Sequence, residues 1–122
     1  MESLGRYEIV DDATYRADDA ALAGLLRRVY VGGGFTEASV AELVFKTEAV
    51  RARGQVLCAR DVDGTLLGMV IVVPPTSPAR VLAGPNEAEM HLLAVDEASR
   101  GHGLGRALVR AALDAAQASQ WV

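Results

Sequence analysis

Glycines at 101, 103 and 105 fall within "SRGHGLGRALVRAAL", residues 99–113, beside Arg100, His102 and Arg106. Those residue types at that spacing suit an anion. A residue without Cβ lets a phosphate approach the main chain. A helix starting directly after the turn adds unpaired N–H groups and the positive end of its dipole. Two common phosphate cradles are excluded by spacing. A dinucleotide-binding turn needs Gly or Ala three residues after its second glycine; counting from either glycine, that position holds Arg106 or Leu108. A P-loop needs Gly-Lys-Ser or Gly-Lys-Thr, and the only lysine is Lys46.

Just upstream, "EAEMHLLAV" (87–95) places Glu87, Glu89 and His91 at alternate positions, so on an extended strand they share one face. A carboxylate there can accept a proton, and partial burial beside "MHLLAV" is expected to raise the pKa of Glu89. Its alternative is a strand-edge carboxylate at the mouth of a cleft, with Glu87 as understudy. A lone strand histidine is more often packed or hydrogen-bonded than catalytic. Cys58 invites a nucleophilic role, but a mid-strand cysteine is usually a small buried hydrophobe.

Several elements must hold these residues in place. "RYEIV" (6–10) reads as a strand. Asp18 and Asp19 precede a helix whose Leu22, Leu25, Leu26 and Val29 repeat at helical spacing, and "GGG" (32–34) ends it. Thr36 caps a second helix carrying Val40, Leu43, Val44 and Lys46. Residues 54–75 read as a β-hairpin folded at Asp63-Gly64, a tight turn with positive φ. Residues 87–95 form a further strand, apolar on both faces in its later half, as a central strand covered twice would be. In the last helix Leu104, Leu108, Ala111, Ala112 and Ala115 make an apolar face, while Arg106, Arg110 and Asp114 line another, with Arg110 placed to pair with Asp114. The order β-α-α-β-β-β-α describes a mixed α/β domain, and the whole of 1–122 is expected to be one domain.

Composition narrows the function classes. A net charge of −4 argues against nucleic-acid binding, which wants a basic face. The longest uninterrupted apolar run, Met69 to Val73, is too short to span a membrane. The start "MESLGRYEIV" has no signal-peptide pattern, and Cys58 has no partner for a disulfide, so a cytoplasmic location is expected. No cluster of ligating residues suggests a metal.

The string "AEMHLLAVDEASRGHGLGRALV" resembles the acetyl-CoA motif of the GNAT (GCN5-related N-acetyltransferase) family, Gln/Arg-x-x-Gly-x-Gly/Ala, here Arg100-x-x-Gly103-x-Gly105. The strand before it, the helix after it and the upstream element order agree with that resemblance, which covers nearly the whole chain. It implies a GNAT-like fold that binds acetyl-CoA. Backbone N–H groups of residues 101–106 (Gly101, His102, Gly103, Leu104, Gly105, Arg106) would hold the pyrophosphate. The main chain of Leu93, Ala94 and Val95 would pair with the pantetheine arm like an added strand, and a strand N–H there would serve the oxyanion. Arg100 would position the loop, and the side chains of His102 and Arg106 would face either phosphates or solvent.

Glu89 lies where several GNAT enzymes place their catalytic glutamate. Tyr30 and Phe35, with Gly32–Gly34 between them, fall where the family builds part of its acceptor pocket. An ammonium acceptor with a pKa near ~10 must lose a proton before it can attack a thioester. The resemblance therefore implies an N-acetyltransferase acting on a primary amine. The alternative is a non-catalytic GNAT-type module that binds acyl-CoA or a protein partner. The family's usual C-terminal strand, helix and strand pair, including a tyrosine that protonates the leaving thiolate, find no counterpart in the sequence. The expectation is a fold cut short, completed by a second chain or covered by homodimerisation. Trp121 and Val122 would then begin the next strand.

Overall fold

The structure is a computed structural model, which describes residues 7–34 and 46–121. Four strands form one antiparallel sheet in the order β1-β2-β3-β4: β1 Tyr7–Asp11, β2 Gln55–Asp61, β3 Leu66–Val73 and β4 Glu89–Val95. Helices α1 (Asp19–Leu26) and α2 (Thr47–Ala52) come before β2, and α3 (Leu104–Ala118) follows β4. The expected α/β class and element order are present. The residues assigned to the second helix, from Thr36 to Val44, lie outside the described residues. The helix observed ahead of β2 is α2, which the apolar periodicity had not singled out.

Every residue of β3 is buried. Side chains alternate across a strand, so two cores form. On one face Met69, Ile71 and Val73 join Leu22, Leu25 and Leu26 of α1 and Val50 of α2. On the other, Val70 and Val72 join Leu104, Leu108 and Ala112 of α3. The strand covered on both faces is thus β3. β4, expected to be central, is the last strand of the described sheet, and only Ala94 in it is buried. Its apolar run misled because Leu92 packs on the α1-side core and Val95 on the α3-side core while Met90 and Leu93 stay exposed.

The hairpin between β2 and β3 turns at the expected place. Gly64 has φ +84°, Gly64 N–H donates to Asp61 O and Asp61 N–H to Thr65 O. The loop is one residue wider than a two-residue turn, a three-residue connection closed by a left-handed glycine. The Asp61 carboxylate accepts from the N–H groups of Asp63 and Thr65 and holds it shut.

Asp18 caps α1 by accepting from the Ala21 N–H. The helix then widens into a π-helical segment, Arg27–Val31, closed by Gly32 N–H donating to Arg27 O at 3.1 Å. A clamp missed by sequence reading fixes where α1 begins. Arg51 of α2 donates through Nε to Asp12 at 2.7 Å and through Nη2 to Ala17 O at 2.7 Å, and it also pairs with Asp19. The other Asp12 oxygen accepts from Ala17 N–H at 2.7 Å. These bonds hold the Asp19 carboxyl below its usual range, through the Arg51 hydrogen bond first, and raise the Arg51 guanidinium.

At the chain's other end, Gln120 takes φ +63°, and Trp121 N–H donates to Ala116 O while its ring packs on the α3-side core. Arg110 and Asp114 both face solvent, and no ion pair joins them.

Two stability measurements check this account. Leu108→Ala, at a fully buried position, is expected to cost ~2–5 kcal/mol in urea unfolding. Arg51→Met leaves the buried Asp12 carboxylate without its counter-charge and is expected to cost ~3–5 kcal/mol.

Candidate functional site

β4 does not run straight. Met69 pairs with Ala94 and Ile71 with His91, so Leu92 and Leu93 together face the single residue Val70. That is a β-bulge, and Leu92 takes φ +52° within it. A branched side chain rarely adopts this left-handed conformation, which costs about 1–2 kcal/mol. Leu92 recovers some of that by packing on the α1-side core.

The bulge re-aims the strand's outer edge. Asp96 N–H donates to Leu67 O at 2.8 Å. By antiparallel alternation the N–H and C=O of Val95 therefore point away from β3. Two carbonyls beyond the bulge are already occupied. Tyr30 Oη, from the π-helical segment, donates to Leu93 O at 3.0 Å, and Arg100 Nε donates to Val95 O at 3.2 Å. Burial pushes the Tyr30 hydroxyl pKa up, so it stays a donor. With its acceptor used, Val95 offers an N–H donor at this edge. Such an edge suits carbonyl oxygens.

A short 3₁₀ turn, Glu97–Ser99, leads from β4 into the glycine loop. Gly101 has φ +86° and Gly103 φ +77°, and a Cβ at either would meet nothing within 4 Å. The loop's requirement for glycine is thus conformational, and its outer side is open to a ligand. Gly103 is the N-cap of α3 without a side-chain cap, and the first intrahelical bond runs from Ala107 N–H to Gly103 O. The N–H groups of Leu104, Gly105 and Arg106 in the first turn therefore have no helical acceptor. Gly105 lies against Val95, where a Cβ would sit 3.7 Å from its Cγ2. Arg100, His102 and Arg106 are exposed around this turn.

An open cavity of about 420 Å³ joins the two halves of the expected site: Arg28, Gly32 and Gly33 line one wall, and Asp96, Glu97 and Arg100 the other. Arg28 also bridges to Asp96 at 3.5 Å. The glycines expected near the acceptor thus share this cavity with Arg100, which leads into the glycine turn. Phe35 lies outside the described residues. A larger cleft of about 620 Å³ sits by the β2–β3 turn, on the far side of the sheet from these residues.

Glu89 and His91 occupy the other end of β4. They lie opposite Val73 and Ile71, so both point to the α1 side. Glu89 Oε1 accepts from the N–H groups of Val81, Leu82 and Ala83 at 2.9, 3.0 and 2.9 Å, and Oε2 lies 2.6 Å from His91 Nε2. The expected rise in the Glu89 pKa is reversed. The Ala83 N–H and then His91 hold it down at about 2, outweighing burial. Glu87 precedes the strand and accepts from the Gly84 N–H instead. Cys58 is buried in the α1-side core, and burial followed by nearby Asp12 pushes its thiol up to about 12, which suits a small hydrophobe and not a nucleophile. Among the described residues no group of three or more His, Cys, Asp or Glu could hold a metal, and no helix is long and apolar enough to cross a membrane.

Residues 20–120 match the family model "Acetyltransferase (GNAT) family". No curated protein matches the chain. Among solved structures, the GNAT family N-acetyltransferase YhbS from Escherichia coli, in complex with CoA, is 28% identical with a TM-score of 0.66; the match covers 95% of this chain and 59% of that one. The chain therefore spans less than two thirds of that relative's length. A GCN5-related N-acetyltransferase from Kribbella flavida is also 28% identical, with a TM-score of 0.67 over 96% of this chain and 68% of that one. A GNAT family acetyltransferase from Brucella melitensis in complex with acetyl-CoA shares the fold at 20% identity and a TM-score of 0.69, over 95% and 71% of the two chains.

The Glu89 carboxylate is expected to latch residues 81–83 over a wide pH range. Its pKa is depressed, so the stability it lends is fully present above the ordinary carboxylate range, declines as pH falls below that range and is lost by about 2. Glu89→Gln removes the charge, and amide hydrogen exchange at Val81, Leu82 and Ala83 should then speed up at neutral pH while that of β3 stays unchanged.

Proposed function

Since the chain belongs to the GNAT acetyltransferase family, we propose that it transfers an acetyl group from acetyl-CoA to the primary amine of a small cationic acceptor. The observation that carries this reading is the pair of left-handed glycines, Gly101 and Gly103, opening α3 directly beyond the outward-facing Val95. The pyrophosphate binds the main-chain N–H groups of residues 101–106, with Arg100 holding the loop against β4 and His102 and Arg106 at its rim. The pantetheine arm lies along Leu93, Ala94 and Val95 as an added strand, its carbonyl oxygens meeting the donor-bearing edge. Laid that way, its far end runs toward Glu89 and His91, as Val95 and His91 are four residues, roughly 13 Å, apart along the strand.

The acceptor enters from the α1 side, past Tyr30 and the glycines after the π-helical segment. Glu89 and His91 supply the route for the proton that leaves the ammonium. The acceptor's lone pair then attacks the thioester carbonyl, the new C–N bond forms and the C–S bond breaks. The outward donor edge of β4 stabilises the charge that develops on the carbonyl oxygen. Acetyl-CoA is a co-substrate, and the reading needs no metal. The free, buried thiol of Cys58 accords with a cytoplasmic setting.

A second reading is a GNAT-type module that holds acyl-CoA or a protein partner without turnover. It is favoured by the outer edge of β4, where Met90 and Leu93 are exposed. A second copy or another chain pairing there would cover them.

Calorimetric titration with acetyl-CoA is expected to show binding, and none at high micromolar ligand overturns the reading. Gly103→Val should abolish that binding, since a branched residue cannot hold φ near +77° without strain. Glu89→Gln should depress CoA release with an amine panel while leaving acetyl-CoA affinity nearly unchanged. Release of free CoA dependent on an amine excludes the non-catalytic reading.

A further inference from the structure

Both oxygens of the best-placed carboxylate are already committed. Glu89 Oε1 takes three main-chain N–H groups and Oε2 lies against His91 Nε2. The geometry points to His91 as the group that accepts the acceptor's proton, with Glu89 as the positioning residue that orients its ring; this rests on the acetyl-transfer reading above.

A carboxylate bonded four times has little lone-pair capacity left for a substrate proton. The imidazole has the opposite arrangement. When Nε2–H donates to Glu89, the proton must be absent from Nδ1, so Nδ1 is an acceptor. The three N–H groups fix the carboxylate, and the carboxylate fixes the tautomer and stabilises the imidazolium that forms, the division of labour of a base held by an acidic partner.

The surroundings agree. His91 keeps 16% of its side chain exposed, so the ring is sheltered yet reachable. Opposite the pair on β3 stand the apolar Ile71 and Val73. The loop of residues 81–83 contributes main-chain donors to Glu89, and Tyr30 from the π-helical segment points its hydroxyl at Leu93 O, on the other side of the bulge. Among the described residues, the carboxylate of Glu89 is the one charge bonded to the ring. The placement also fits the substrate path, since His91 is the last residue before the bulge and Leu93–Val95 follow it.

The proton balance is simple. The ammonium gives one proton to Nδ1 of His91, and its freed lone pair forms the C–N bond. The C–S bond breaks, and the second amine proton ends on the departing sulfur as CoA thiol. The imidazolium returns its proton to solvent, so one proton is released per acetyl group.

The chain has two histidines, His91 and His102, so their ring ¹⁵N signals can be resolved and assigned with a His102→Gln sample. The expected result is a neutral His91 ring protonated on Nε2, a preference that Glu89→Gln weakens. A neutral ring protonated on Nδ1, or a tautomer balance unmoved by Glu89→Gln, overturns the proposal. In kinetics, CoA release is followed with spermidine, tyramine and lysine methyl ester as acceptors. His91→Gln should lower kcat by ~10²-fold or more with the KM for acetyl-CoA unchanged. Retained acetyl-CoA binding with wild-type kcat in His91→Gln overturns the proposal alone. Absence of acetyl-CoA binding in the wild-type protein overturns the acetyl-transfer reading and the proposal together. Should none of the three amines react, the ring ¹⁵N result decides.

Discussion

Eight consecutive buried residues, Leu66–Val73, make β3 the strand on which the rest is hung. A strand withdrawn from water on both sides must be covered twice, and each large apolar side chain buried there is worth about 1.5–3 kcal/mol. α1 and α2 cover one face and α3 the other. The site inherits its frame from this arrangement. α3 cannot leave its face of β3 without exposing Leu104 and Leu108, so the glycine loop that starts it is held at the end of β4. α1 is held in the same way, which brings Tyr30 to the bulge.

Between these rigid layers, β4 is where regular structure gives way. The left-handed Leu92 and the bulge around it interrupt the register with β3. Two side chains from outside the strand then occupy two of its carbonyls. Tyr30 and Arg100 therefore do more than decorate a cleft: they leave an edge rich in donors and poor in acceptors. A ligand with carbonyl oxygens along an extended arm meets that edge on favourable terms, while a peptide strand would find half of its partners taken. On the proposed reading, the phosphate end of such a ligand would be served separately, by the unpaired N–H groups of α3's first turn.

Much of this was legible in the chain itself. Gly101 and Gly103 announced a glycine turn that opens a helix, and the left-handed conformations they adopt are the reason glycine stands there. Asp63-Gly64 marked the hairpin correctly, because a left-handed turn residue is a local demand. Other readings failed where a remote partner decided the matter. The apolar half of 87–95 looked like a twice-covered strand, yet that place belongs to β3, whose own apolar run is longer. Glu89 looked like a carboxyl with a raised pKa, and main-chain donors from residues 81–83 reversed the sign. No short-range pattern advertises such donors. The Arg51 clamp on Asp12 and Ala17 was equally invisible, since its members are 39 and 34 positions apart.

Local chemistry thus reached the sequence directly: turn glycines, helix starts, the alternation that put Glu89 and His91 on one face, and the family to which the loop motif points. Each of these depends on a few neighbouring residues whose backbone preferences are nearly independent of the rest. The tertiary structure alone decided which strand is central, where Tyr30 donates, how β4 bends and whether Glu89 is free to take a proton. Those outcomes depend on groups brought together from distant parts of the chain. A carboxylate's proton affinity is set by the donors packed around it, and only the folded chain places them.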